Sequence, residues 1–504
     1  MKNLIVLLLA LIMVLACVAC GNSGSTSSDT TTAPSTNATT IPSTSVPGTS
    51  EPEGTTEDLA FADPDLEAKD FDGTTLTFLM REDGEYKSIA VFEDSSNSVA
   101  SEVYWRNQAL EEKYKIKIAC TELHFTAVLG EAQTQINSDE LAFDILDMAP
   151  SYQFVLAVDR MLYDMAEIPV VDSSKGYWLN KFNEEISVHG INYFLASYAN
   201  LWTLDSAGVV FFNTELAEEL QLGNLYELVM DYEWTYDVMN QMSQLAYKDD
   251  GDGEWDLDDR FGSVSTLACV ETMYVGMGGT TLIPDGEDYR ITYTDEENID
   301  RLTKIVEFWA HESSVLTARY GDYMIGSNQS ILAALMLGGR ALFAQEQLYQ
   351  LSKFADSEYV IGMLPIPLYD ENQENYRSAT HYGQASTSSI PLLLSENRLE
   401  LVGTILEDMA FTGWRDIRPA YYDVNLKFRR AQDEESREIL DIIFENTTVD
   451  LGTCFSNTGF TPAADLRAVV RSSNTAVSSY LETNASAYAL KLEELLAKLT
   501  ASDE

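Results

Sequence analysis

Apolar positions along the chain follow two periods. Thr75–Met80 (TLTFLM) is a short apolar run and predicts a buried strand. Val99, Val103, Leu110 and Tyr114 fall on one helical face. After them Ile116, Ile118 and Cys120 alternate with Lys115, Lys117 and Ala119, a period of two that predicts a strand. Phe143–Met148 (FDILDM) predicts another strand, closed by Ala149-Pro150. Val209–Phe212 predicts a third, with a helix from Thr214. Asp433-Glu434-Glu435 opens a helix whose acidic first turn suits the macrodipole, with Ile439, Ile442 and Ile443 on its apolar face. Tyr488, Leu492, Leu495, Leu496 and Leu499 mark the last helix. Strands alternating with helices predict an α/β fold of mainly parallel sheets covered by helices. About 445 residues exceed one comfortable core, so two lobes are expected.

The first 57 residues break this pattern. Leu4–Val18 is almost wholly apolar but shorter than the roughly 20 residues that span a bilayer, and it reads as a leader. It ends in Leu15-Ala16-Cys17-Val18-Ala19-Cys20-Gly21, which resembles a bacterial lipobox. Cys20 is the favoured lipidation site and Cys17 the alternative register. A redox or metal pair at Cys17 and Cys20 lacks the folded context it needs. Residues 21–57 are rich in Ser, Thr, Pro and Gly and predict an extended tether. The expected place is outside the cell, anchored by lipid to the outer face of the cytoplasmic membrane. Cys120, Cys269 and Cys454 remain in the body; they read as buried apolar residues, with one Cys269–Cys454 bridge as the alternative.

Charge narrows the partners. The chain has 31 Lys and Arg against 81 Asp and Glu, a formal net charge of −50. Such a chain repels nucleic acid and anionic lipid surfaces. Hydrophobic residues at 45% exclude disorder as the cause. Enzyme signatures are absent. His311-Glu312 does not continue to HExxH, and there is no GxSxG elbow, Walker A loop or paired CxxC.

Several segments occur in a telling order: Val103-Tyr104-Trp105-Arg106-Asn107, Glu111-Glu112-Lys113-Tyr114, Val209-Val210-Phe211-Phe212-Asn213-Thr214-Glu215-Leu216, Trp234-Thr235-Tyr236-Asp237, Gly339-Arg340-Ala341-Leu342-Phe343, Gly362-Met363-Leu364-Pro365-Ile366-Pro367 and Pro419-Ala420-Tyr421-Tyr422. In this order the chain resembles the extracellular solute-binding proteins of ABC importers, family 1, the carbohydrate group similar to maltose-binding protein. The resemblance implies a hinged, two-lobed periplasmic-binding-protein-like fold of type II with three interlobe crossovers, near 205, 360 and 410. The N-lobe would take 58–205 and 360–410, the C-lobe 206–359 and 411–504. It implies a monomer that binds a sugar or oligosaccharide in the cleft and gives it to permease subunits with their ATPase. It implies no catalysis and no required cofactor. A peptide or polyamine ligand, a glycan-binding adhesin and a surface glycosidase are the alternatives.

Ligand contacts are expected in loops after strands, where aromatic faces meet sugar C–H faces and planar polar groups meet hydroxyls. The candidates are Arg81, Asp83, Ser151, Tyr152, Trp202, Gln345, Glu346, Tyr382 and Trp414, with Glu82 and His381 beside them. Trp309 reads as core and Trp234 as packing at a helix start. Lys248–Asp259 resembles an EF-hand-type calcium loop with Gly253 at its sharp turn. Asp250, Asp252, Glu254 (through its carbonyl), Asp256 and Asp259 are the expected ligands. Lys248 stands where the pattern has Asp, and Asp249 can substitute by a local shift.

Overall fold

A computed structural model describes residues 61–82, 89–317, 331–354, 357–428 and 434–500. The leader, Cys17, Cys20, the tether and Asp83 lie outside the described residues. Residues 54–504 form one compact unit.

The first sheet is built on β1 (Thr74–Arg81), which pairs in parallel with β2 (Ile116–Leu123) on one side and β3 (Ile145–Met148) on the other. A strand with neighbours on both sides and helices on both faces needs apolar residues without alternation, and Leu76, Phe78, Leu79 and Met80 are all buried. β2 lies at the edge, and its buried Ile116 and Ile118 flank an exposed Lys117. Between β1 and β2 runs helix Ser98–Tyr114. Asn97 caps it by accepting from the amides of Val99 and Ala100, and Lys115 ends it in the left-handed region at φ 51°. Val99, Val103, Leu110 and Tyr114 are its buried face, as the periodicity predicts.

The second sheet has five strands: β4 (Gly208–Asn213), β5 (Phe261–Ser265), β8 (Ser314–Leu316), β9 (Ala341–Gln347) and β10 (Ile361–Pro365), in the order β10-β4-β9-β5-β8. Two small pairs stand apart, β6 (Leu282–Asp285) with β7 (Asp288–Ile291) and β11 (Ser378–Ala379) with β13 (Thr447–Thr448). Trp234 and Trp309 are core. Cys120, Cys269 and Cys454 are unbridged. Among the described residues no helix is long and apolar enough to cross a membrane.

The parallel expectation holds for β1, β2 and β3 and for β5, β8 and β9, but not for β4 or β12 (Thr387–Ser389). Each of these runs antiparallel to its neighbours, β4 to β9 and β10, β12 to β3. The reason is topological. The carboxyl ends of β1, β3, β5 and β9 face the junction of the two sheets. A strand entering from that junction starts where the others finish: Gly208 pairs with Gln347 and Thr387 with Met148.

Two crossing segments join the sheets side by side. Ala207 bridges Thr380, the Thr203 hydroxyl binds the Ser386 carbonyl, and the Ser386 amide returns to Thr203 at 3.0 Å. Helix Glu396–Thr412 continues through a π-turn at Gly413–Ile417 into helix Arg418–Phe428. Gly413 lies against the Tyr198 carbonyl so closely that a β-carbon would overlap it. Tyr421 donates to Asp205 on the first crossing segment.

The sequence expectation of a return to the first sheet near 360 differs from this topology. β10 pairs with β4 in the second sheet, and the return comes in residues 380–386. Pro365 causes no loss there, because it closes an edge strand. Helix Arg418–Phe428 packs on helix Ser98–Tyr114, so the chain stays beside the first sheet past 410.

Candidate functional site

Where the strand ends meet the crossing segments lies a cleft of about 410 Å³, within the size of small-molecule sites. It is lined by Arg81 and Glu82 at the end of β1, Phe125 after β2, and Ser151 and Tyr152 opening the helix after β3. Trp202 comes from the first crossing segment, His381, Tyr382 and Gln384 from the second, and Asn457 from the turn Phe455–Thr458. Five sequence candidates are therefore brought together: Arg81, Ser151, Tyr152, Trp202 and Tyr382.

The walls are held by specific bonds. The Glu82 amide donates to the Leu123 carbonyl at 2.8 Å, the Ser151 amide to the Tyr382 carbonyl at 3.3 Å, and Asn457 Nδ2 to Ser151 Oγ at 3.1 Å. The Arg81 guanidinium lies 4.7 Å from the Trp202 ring, and Trp202 stacks with Tyr349 at 5.1 Å. Tyr382 stacks on His381 at 4.7 Å. Behind them Arg467 donates to Tyr382 Oη and to His381 Nε2, each at 3.0 Å, and forms an ion pair with the buried Glu271. Both ring nitrogens face donors, Nε2 the Arg467 guanidinium and Nδ1 the Gly383 amide at 3.1 Å, an arrangement that disfavours the doubly protonated ring. Burial first, then the Arg467 charge, pushes His381 down to about 3. Trp202 Nε1 and Gln384 Oε1 are buried without a hydrogen-bond partner among the described residues.

Three sequence candidates lie elsewhere. Gln345 and Glu346 are buried in β9. Gln345 Nε2 donates to the Cys269 carbonyl at 2.8 Å, and Glu346 faces Cys269 Sγ at 3.6 Å. Burial raises the Glu346 carboxyl above the usual range. Their positions at the end of a central strand put both side chains inside the sheet layer. Trp414 belongs to the π-turn and stacks on Phe61 at 4.6 Å, away from the cleft lining. Phe125 and Asn457 were not candidates. Phe125 follows β2 as Arg81 follows β1, so the strand-end rule reaches it; nothing in the sequence singles out Asn457.

The acidic loop is closed by Lys248 and Arg260, whose amides and carbonyls exchange two bonds of 2.9 Å. The carboxylates of Asp249, Asp250 and Asp252 lie within 4.8 Å of one another. Asp249 Oδ1 accepts from the amides of Gly251 at 2.7 Å and Gly253 at 3.3 Å. Asp259 turns inward to accept from the Asp250 amide at 3.0 Å and the Asp256 amide at 3.4 Å. Asp256 accepts from the Asp258 amide, and Glu254 is exposed. Of the expected ligand set, Asp250 and Asp252 converge, with Asp249 where Lys248 was aligned.

No family model and no curated protein matches the chain. Solved structures do. The ABC substrate-binding protein Lmo0181 from Listeria monocytogenes in complex with cycloalternan matches at 10% identity and a TM-score of 0.56, over 84% of this chain and 100% of that one. UspC of M. tuberculosis matches at 13% identity and 0.56, over 83% and 100%. Maltose-bound MalE3 of T. maritima matches at 12% identity and 0.51, over 83% and 99%. The fold is that of the two-lobed substrate-binding proteins. In this substrate-binding fold the cleft sits at the carboxyl ends of strands, the general place for ligands in open α/β sheets.

Proposed function

We propose that the chain is an extracellular substrate-binding lipoprotein of family 1 of the ABC importers, which captures a sugar or oligosaccharide in the cleft and delivers it to a membrane permease. One observation carries the reading. Aromatic residues (Phe125, Tyr152, Trp202, Tyr382) and polar ones (Arg81, Ser151, Gln384, Asn457) line one cleft. That is the chemistry a ring of hydroxyls on an apolar sugar face requires. Structural neighbours in complex with cycloalternan and with maltose support it. Charge favours a neutral ligand over a polyamine. Glu271 is paired with Arg467, and Glu82 is the one carboxylate of the lining among the described residues, beside Arg81. Glycoside hydrolysis needs a facing carboxylate pair, so the reading is binding and not catalysis.

The remaining parts of the reading rest on sequence: a lipid on Cys20, a monomer, and permease and ATPase subunits as partners. Calcium is a second, separate reading. Asp249, Asp250 and Asp252 present oxygen donors of the hard type that calcium takes. When bound, the ion would screen their mutual repulsion and stiffen the loop. A thermal-shift screen of the full chain tests the ligand. A rise in Tm with an oligosaccharide is expected; a rise only with peptides or polyamines overturns the substrate class.

A further inference from the structure

Asp147 is the third residue of β3, between Leu146 and Met148, and is 1% exposed. Oδ1 accepts from Asn200 Nδ2 at 3.0 Å and from the Ser386 hydroxyl, and Oδ2 accepts from the Ser388 hydroxyl at 3.2 Å. Asn200 belongs to the first crossing segment; Ser386 and Ser388 belong to the second and to β12. Asn200 Oδ1 in turn receives the Trp202 amide at 3.0 Å. The Arg81 charge acts on Asp147, and the same guanidinium lies over the Trp202 ring. One buried carboxylate thus touches a sheet, both crossing segments and, through Arg81 and Asn200, the cleft wall.

A static joint could be made of neutral groups, as Gln153 shows beside it. Gln153 Nε2 donates to the Thr387 carbonyl at 2.8 Å, and its Oε1 accepts from Ser389 at 2.7 Å. A carboxylate at the pivot makes the joint depend on charge. We propose that Asp147 is the positioning residue of the cleft: its ionised carboxylate holds both crossing segments against β3 and keeps Arg81 over Trp202, and proton uptake there loosens the hinge and weakens ligand binding. The proposal rests on the cleft being the ligand site.

The groups facing Asp147 set the direction. Arg81 on β1 is the cation that acts on it, and Asn200, Ser386 and Ser388 are neutral. Of the titratable groups further along the crossing segments, His381 is engaged by Arg467 and Asp205 by Tyr421. Burial pushes Asp147 up to about 6, against the pull of Ser386, Arg81, Ser388 and Asn200. Above that pH all three donors meet an anion. Below it the carboxyl must itself donate, one donor loses its acceptor, and Arg81 loses its counter-charge. Affinity therefore falls as pH falls. The stability of the unliganded protein moves the other way through this group. Its folded pKa lies above the unfolded one, so the folded state takes the proton more readily and stability is lost as pH rises through about 6. His381, pushed down, loses stability as pH falls through its unfolded pKa of about 6.5. A melting profile alone mixes the two.

The experiment uses the full chain. The Trp202 contribution to fluorescence, taken as wild type minus Trp202→Phe, is followed from about pH 5 to 8 without ligand. A transition near pH 6 in the wild type and none in Asp147→Asn is expected; a flat wild-type profile overturns the proposal whatever the ligand. Ser388→Ala keeps the carboxylate but removes one donor, so its midpoint should rise; an unmoved midpoint argues for a merely structural role and against the proposal. Calorimetry with maltotriose as the probe reads the coupling. About tenfold weaker binding at the acidic end is expected in the wild type, the scale of one charge-assisted bond, with a profile flat within about twofold in Asp147→Asn. Parallel profiles in the two proteins overturn the coupling. An intact fluorescence transition with no saccharide binding instead overturns the substrate reading and leaves the positioning role of Asp147 standing.

Discussion

The acidic loop and the cleft differ in how far their residues travel to meet. Asp249, Asp250 and Asp252 are neighbours in sequence, and the loop's own amides hold them in place. The cleft draws Arg81, Ser151, Trp202, Tyr382 and Asn457 from segments spread between residues 81 and 457, and their relative position is set by two sheets and the segments that cross between them. A local site keeps its shape when the rest of the fold shifts. A distributed one changes whenever the crossing segments do.

Substitutions can sharpen this contrast, and the largest effect is expected at Arg467→Met. It leaves Glu271 buried without its cation, and unfolding by urea should show a loss of about 3–5 kcal/mol. A loss below about 1 kcal/mol would mean that the cleft wall does not depend on the pair. Next comes Trp202→Ala, which removes the face shared by Arg81 and Tyr349. Saccharide affinity should fall by at least about 2 kcal/mol, roughly thirtyfold. Trp414→Ala is its control: the ring packs on Phe61, and affinity should stay within about twofold by calorimetry.

The loop should respond to calcium and not to sugar. Saturating calcium is expected to raise stability by about 1–3 kcal/mol, read as a Tm that chelator lowers. Asp249→Asn should remove that response and Lys248→Ala should retain it; the opposite result restores the alignment that counts from residue 248. Asp259→Asn should destabilise with or without calcium, since its carboxylate ties the loop's own amides. The smallest loss among the cleft-lining residues is expected at Phe125→Ala. Its half-exposed ring offers one stacking face, worth about 0.5–1.5 kcal/mol of affinity. A larger loss there than at Trp202 would move the centre of the site toward β2.

Periodicity made the strands readable, because β1, β3 and β4 are interior strands and bury their side chains without alternation. The rule that ligands gather after strand ends reached Arg81 and Tyr152 for a physical reason: β1 and β3 point the same way. The rule failed at Gln345 and Glu346. Their side chains are still within the sheet layer at the end of β9, and no single-strand pattern says where a layer stops. Trp414 was placed by the crossover expected near 410; the turn that holds it packs on helix Ser98–Tyr114 instead, and its ring meets Phe61. Lys248 looked like a damaged ligand position until the backbone showed it in the strand bridge to Arg260, with Asp249 one step further on. Asp147 escaped notice because an acid in an apolar run gives no sign of partners 53, 239 and 241 residues away.

The placement of β12 has a kinetic consequence. The first sheet begins at Thr74, yet its last strand is supplied by Thr387–Ser389. That sheet cannot close while the chain is being synthesised from its amino end, since the strand that completes it emerges some 300 residues later. Closing such a loop costs chain entropy before any contact repays it, which slows folding relative to a domain of local contacts. Until then β3 presents an open edge, and an open edge is where an incomplete chain would pair with a second copy of itself.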